Sequence, residues 1–81
     1  MRASMINEND KKIIRKFGEH LAKLRNAKAL SQRQLSHRCR VDYSKISAME
    51  VGKVNVTLIT LTELAKGLEV DLAALLDFDV E

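Results

Sequence analysis

The sequence predicts an all-α domain of five helices, and three observations lead to this prediction. The 81-residue chain contains no proline, and no stretch alternates apolar and polar residues as a half-buried strand does. Apolar residues instead recur three or four positions apart, and residues that commonly begin or end helices separate these runs. A chain of this length forms one domain with a small core.

The first helix is expected to begin near Asn9 or Asp10, which places a flexible segment at residues 1–9. The apolar residues of this helix are spaced four, four and three apart: Ile13, Phe17, Leu21 and Leu24. Gly18 interrupts the helix and weakens it by about 1 kcal/mol relative to alanine. We therefore expect another helix to pack closely against Gly18.

Two short helices are predicted next, joined at residues 40–41. Ser31 and Gln34 have the spacing of a capping box, which begins a helix running to about Cys39. Asp42 is the expected cap of the third helix, which ends at Gly52, a residue that readily adopts the left-handed conformation.

The last two helices follow a loop at residues 53–56. Thr57 is expected to cap the fourth helix, and Asp71 to begin the fifth. The apolar stripe of the fourth helix is Leu58, Leu61, Leu64, Ala65 and Leu68. The ordered domain is therefore predicted at residues 10–78, followed by an acidic tail at 79–81.

Charge is distributed unevenly along the chain. Residues 1–66 carry all 14 lysines and arginines and six acids, a net charge of +8, whereas residues 67–81 carry five acids and no base. A basic segment of this kind favours contact with polyanions, although solvated helix faces also carry lysine and arginine.

The third helix has an unusual outer face. Ile46 and Met49 are expected to point inward, which leaves small or hydrogen-bonding residues outside: Tyr43, Ser44, Ser47 and Ala48. Small side chains allow the backbone to approach another surface closely, and hydroxyl groups hydrogen-bond to base edges. The pattern favours insertion into the major groove of double-stranded DNA, although each of these residues is also compatible with an ordinary solvated helix.

Other classes of function lack the residues they require. Cys39 is the single cysteine, which suits a reducing cytoplasm, and we interpret it as a small buried thiol. With His37 it offers too few ligands for zinc. The sequence has no apolar run of membrane-spanning length, no secretory signal and no catalytic constellation. It predicts a cytoplasmic protein that is not an enzyme and needs no metal or cofactor.

Three stretches carry a resemblance to a known family. They are FGEHLAKLRNAKALSQRQLS, ISAMEVGKVNVTLITLTELAKGLEV and LAALL, within residues 13–78. They resemble the lambda-repressor-like helix-turn-helix domain of phage repressors, Xre-type regulators and the small controllers of restriction–modification operons. The resemblance implies a five-helix DNA-binding fold with the helix-turn-helix motif at about residues 31–52. Arg40 departs from it, because the family prefers glycine at this turn, and Val56 replaces a common proline.

The resemblance also implies roles for individual residues. Tyr43, Ser44 and Ala48 match the principal base-reading positions, and Ser47 lies on the same face. Gln32 matches a glutamine that touches the DNA backbone and the first contact residue of the third helix, and it is assigned to base reading with them. Phosphate-contacting positions are Ser31, Lys45, Lys53 and Asn55. The basic side chains Arg38 and Arg40 are added as candidates, and, like Arg33, they are equally compatible with a solubilising role. Arg25 and Glu50 match a structural ion pair that ties the first helix to the third.

A domain of this size buries little surface on DNA, so we expect a homodimer on a palindromic operator. The expected dimer surface is apolar: Leu68, Val70, Leu72, Leu75, Leu76 and Phe78. The favoured function is a sequence-specific transcriptional regulator. An antitoxin or adaptor with autoregulatory DNA binding and a non-specific nucleoid protein remain as alternatives, and a protein partner such as a toxin or RNA polymerase is left open.

Overall fold

The computed structural model describes residues 7–80, which form five helices and no strand. The helices are α1 (Glu8–Ala27), α2 (Gln32–His37), α3 (Tyr43–Glu50), α4 (Leu58–Leu68) and α5 (Leu72–Leu75). This arrangement confirms the predicted fold class. The predictions for residues 1–6 and 81 lie outside the described residues. None of the described helices has the length and apolar character needed to cross a membrane.

The helix caps explain where the observed boundaries differ from the predicted ones. The Asn7 side chain accepts a hydrogen bond from the Asp10 N–H at 2.8 Å, so α1 begins at Glu8, before the position predicted from the sequence. The Ser31–Gln34 capping box is present. Asp42 occupies the N-cap position of α3 but makes no cap bond, because its carboxylate instead accepts from the Ser44 hydroxyl at 2.6 Å.

The core is closed by side chains from all five helices and the turns between them. Its largest fully buried residues are Leu21, Leu35, Ile46, Leu64, Leu68 and Leu75. Leu58 was expected to belong to this core, but it is 65% exposed because it occupies the first position of α4, at the edge of the domain. The core thus supports α2 and α3, which are too short to be stable as isolated helices.

Two glycines allow α1 to lie directly against the end of α3. A Cβ atom on Gly18 would clash with the carbonyl oxygens of Met49 and Glu50, which confirms the expected close approach of a second helix. Gly52 ends α3 at φ +76°, and a Cβ there would lie 2.9 Å from the Cα of Arg15. The position and tilt of α3 are therefore set by its contact with α1.

The turn between α2 and α3 differs from the glycine turn of the family. Among the described residues other than glycine, only Ala29 and Glu69 have positive φ, so Arg40 adopts an unstrained conformation. The Arg40 N–H donates to a Glu63 carboxylate oxygen at 3.1 Å. This bond is the main reason that the pKa of Glu63 lies below its usual range. Arginine is accommodated because α4 supplies an acceptor for the turn.

Substitution by glycine is expected to have opposite effects on stability at Ala29, which has a positive φ, and at Arg40, which does not. Ala29→Gly should stabilise the domain by up to about 1 kcal/mol, because Ala29 lies at φ 58°. Arg40→Gly should destabilise it by about 0.5–1 kcal/mol, because glycine adds freedom to the unfolded chain without relieving strain. Urea denaturation of both variants tests this, and a gain in stability for Arg40→Gly would contradict the observed turn.

Candidate nucleic-acid interface

The outer face of α3 is exposed while its inner face is anchored. Ile46 and Met49 are 0% and 2% exposed, and they fix the helix on the core. On the opposite side Tyr43 and Ser44 are exposed, whereas Ser47 and Ala48 are half-buried along the flank. The predicted face thus lies outside the core as a ridge. Its small side chains, Ser44, Ser47 and Ala48, allow the helix backbone to approach another surface closely.

A hydrogen-bonded ion pair holds the far end of this ridge. The Arg25 Nε and Nη2 atoms donate to the two carboxylate oxygens of Glu50 at 2.7 and 2.9 Å. Arg25 Nη1 also donates to the Leu30 carbonyl at 2.7 Å. The two charged side chains are only 13% and 7% exposed, and the hydrogen bond to Glu50 raises the pKa of Arg25. The pair links α1, the α1–α2 turn and α3.

Gln32 is joined to the same network. Its side-chain Nε2 donates to Glu50 Oε1 at 2.9 Å, so the first residue of α2 is tied to the last residue of α3. This bond keeps the Gln32 amide beside the ridge with a fixed orientation. A donor already committed to Glu50 leaves mainly the Gln32 oxygen and the second N–H for another ligand.

The sequence left Arg33 open between a phosphate anchor and a solubilising residue, and did not indicate a contact with Tyr43. Its guanidinium carbon lies 4.2 Å from the centroid of the Tyr43 ring, a cation–π arrangement. The Tyr43 ring is therefore in contact with a side chain of α2. No local sequence signal links the two residues, because they are ten positions apart on different helices.

Some of the candidate phosphate-contacting residues are exposed to solvent, and others already make contacts within the protein. Lys45, Lys53 and Asn55 are exposed around the ridge. The Ser31 hydroxyl accepts from the Gln34 N–H at 3.0 Å as the cap of α2. Arg38 lies 3.9 Å from a Glu69 oxygen, an exposed and weak pair.

Cys39 is a half-buried thiol that donates to the Leu35 carbonyl at 3.3 Å. Burial raises its pKa, so the protonated form is favoured and the thiol is a poor nucleophile. Within residues 7–80, no three His, Cys, Asp or Glu side chains are grouped so as to hold a metal ion.

The predicted dimer surface needs a correction. Leu68 and Leu75 are 1% and 0% exposed, because they pack inside the core, so they cannot form a surface. Val70, Leu72 and Phe78 are partly buried, and Phe78 is held by the ring of Phe17 at 6.1 Å. Leu76 remains 49% exposed.

The first turn of α4 exposes apolar side chains that the sequence had assigned to the interior or left unassigned. Leu58 and Ile59 are 65% and 71% exposed. Leu58 lies one helical turn before Leu61, which lines an apolar groove of about 160 Å³ together with Leu76. The sequence offered no way to separate Leu58 from the core stripe, because it continues the same spacing.

Taken together, the exposed ridge of α3 and the supporting α2 define a helix-turn-helix DNA-binding regulator. Helix-turn-helix is also the family whose sequence model matches residues 21–75. The chain belongs to this family. Control protein C.MunI from Mycoplasma sp. is 39% identical over 90% of this chain and 96% of that protein. An uncharacterised HTH-type transcriptional regulator, y4dJ of Sinorhizobium fredii, is 40% identical over 65% of this chain and 69% of its own length.

Solved structures show the same fold. The restriction-modification controller protein C.AhdI from Aeromonas hydrophila has a TM-score of 0.74 and 37% identity, covering 76% of this chain and 94% of its own. A variant of the restriction-modification controller protein C.Esp1396I has a TM-score of 0.75 and 28% identity, covering 80% of this chain and 87% of its own. The names of these relatives describe regulators and controllers, and none describes an enzyme.

Proposed function

We propose that this chain is a transcriptional regulator that binds a palindromic operator as a homodimer and reads bases with α3. The observation that carries the proposal is the ridge of α3, which presents Tyr43, Ser44, Ser47 and Ala48 outside the core while its inner side chains are buried. An ordinary solvated helix face would carry long charged residues. A ridge of this shape instead lets the helix backbone enter a major groove about 12 Å wide.

The neighbouring side chains provide the remaining parts of such an interface. The hydroxyl of Ser44 and the ring of Tyr43 lie toward the start of α3, where recognition helices contact base edges. Gln32 stands beside them at the start of α2. Lys45, Lys53 and Asn55 are exposed around the ridge. We assign them to phosphate contacts, which set the register without reading sequence.

The relatives narrow the biological role. C.MunI is named a control protein, and C.AhdI and C.Esp1396I are named controllers of restriction–modification. We therefore propose that the operator lies at restriction–modification genes. This role is favoured over the antitoxin alternative, because none of these three relatives is named an antitoxin.

The experiment that tests the function is selection of bound fragments from random DNA duplexes. The proposal expects one symmetric sequence, with half-site centres about 34 Å apart or a multiple of that distance. Recovery of fragments without any shared sequence would identify a non-specific DNA-binding protein instead.

Dimerisation through the exposed apolar residues gives a separate prediction. We expect Leu58→Glu with Leu76→Glu to leave a folded monomer at micromolar concentration, because each buried leucine contributes about 1.5–3 kcal/mol to association and a carboxylate cannot be buried unpaired. Both side chains are exposed in the monomer, so folding is retained. Sedimentation equilibrium measures the mass.

The matched control is Val51→Glu, which places a carboxylate at a residue that is 61% exposed but lies at the end of α3. This variant should remain dimeric. A wild-type protein that is only monomeric, or a double variant that stays dimeric, would exclude this surface.

A further inference from the structure

The side of α1 that faces the end of α3 carries a basic hollow that no recognised motif includes. Its lining residues are Lys11, Ile14, Arg15, Gly52, Lys53 and Asn55, around a space of about 260 Å³. We propose that Lys11 and Arg15 bind phosphates of the operator backbone and so extend the DNA contact from the helix-turn-helix motif onto α1. This inference rests on the proposed function, since it assigns a second contact to the same DNA.

The hollow is continuous with the ridge of α3. Gly52 and Arg15 are in direct contact, so the base of the Arg15 side chain starts at the turn that ends α3. Asn55 lines this hollow and also the neighbouring one, which contains Lys45 and Thr60. The cations therefore follow one path, from Lys45 on α3 through the loop to α1, as the contacts to a DNA strand must.

Most of the charges along this path have no partner among the described residues. Away from the path, some basic side chains are paired with acids, such as Arg25 with Glu50, Arg38 with Glu69 and Lys66 with Glu63. Within residues 7–80, the charged groups of Arg15, Lys45 and Lys53 have no hydrogen-bonding or ionic partner. Lys11 lies 3.7 Å from Glu8, but both side chains are exposed, so this pair is weak.

Phosphodiester groups are the ligand that suits this arrangement. Arg15 presents a planar guanidinium that can bind two oxygens of one phosphate, and Lys11 lies one helical turn away on the same face. The cations that line the hollow, Lys11, Arg15 and Lys53, are exposed, so a strand passing over it can reach them. Asp10 lines the adjoining hollow but not this one.

The test compares two double variants that each remove two positive charges. Lys11→Gln with Arg15→Gln removes the α1 cations and keeps most of the aliphatic side chains. Lys23→Gln with Lys66→Gln is the control, because neither residue lines the hollow beside α3. Circular dichroism confirms that both variants fold, and the Kd for the selected operator is measured between 50 and 200 mM salt.

If both cations bind phosphates, the slope of log Kd against log salt falls by about 1.8 in the α1 variant and is unchanged in the control. The affinity difference between wild type and the α1 variant should then shrink about tenfold from 50 to 200 mM salt. A wild-type slope in the α1 variant, or an equal fall in the control, overturns the proposal. These outcomes are read from a wild-type protein that binds its operator, so they are separate from a failure of sequence-specific binding itself.

Discussion

Replacing Ser44 and Ser47 with glutamate is expected to abolish operator binding and to leave the fold intact. Two carboxylates on the ridge of α3 would face the phosphates and base acceptors of the groove, where opposed like charges cost several kcal/mol. This cost corresponds to roughly a hundredfold loss of affinity or more. Ser44 is exposed and Ser47 is half-buried on the flank, so neither change disturbs the core. Fluorescence anisotropy with the selected operator measures the loss.

The control for this variant is again Lys23→Gln with Lys66→Gln, which lowers the net charge by the same amount away from α3. It should bind with nearly wild-type affinity. If the glutamate variant retains its affinity while its helicity is unchanged, the ridge of α3 is not the DNA-binding face.

Glu50→Ala is expected to cost about 3–5 kcal/mol of stability, because it leaves the Arg25 guanidinium largely buried without its partner. This is a large part of the stability of a domain of 81 residues, and the melting temperature should fall by more than about 10 °C. Operator affinity should fall as well, since Glu50 is the residue that joins α3 to Arg25 and Gln32. Thermal unfolding and binding are measured on the same preparation.

Glu8→Ala provides the comparison, since Glu8 also pairs with a basic residue but is 93% exposed. Its effect should be below about 1 kcal/mol. Equal effects of the two substitutions would show that burial of the Arg25–Glu50 pair contributes nothing beyond a surface pair.

The parts of the fold that depend on local chemistry could be predicted from the sequence. The capping box at Ser31 and Gln34 and the left-handed Gly52 follow from residue type and spacing, and both are observed. The close approach at Gly18 was predictable because a glycine inside a helix costs stability that packing must offset. The exposed face of α3 followed from the inward spacing of Ile46 and Met49.

The predictions that were wrong concern residues at the ends of helices. Asn7 caps α1 by accepting a hydrogen bond from the Asp10 N–H. Residue type alone does not separate this cap from a start at Asn9 or Asp10. Leu58 continues the apolar spacing of α4 into a turn that no other helix covers, so periodicity alone placed it in the core. Leu68 and Leu75 were assigned to the dimer surface, but their side chains are buried in the core.

The long-range parts of the candidate interface gave no sequence signal. The stacking of Arg33 on Tyr43 and the bond from Arg40 to Glu63 join different helices, and neither spacing is characteristic. The Arg25–Glu50 pair was recognised only through the resemblance to relatives. The spacing of Lys11 and Arg15 places both on one face of α1, and this could be seen in the sequence. That Lys53 lies beside them could be seen only in the structure.

Methylation interference with dimethyl sulfate on the selected operator shows whether α3 lies in the major groove. The reagent methylates guanine N7 in the major groove and adenine N3 in the minor groove. We predict that N7 methylation blocks binding in two symmetric patches separated by one helical turn or a whole number of turns, and that N3 methylation within those patches has no effect. Interference from adenine N3 alone, with N7 methylation tolerated throughout, would contradict the account.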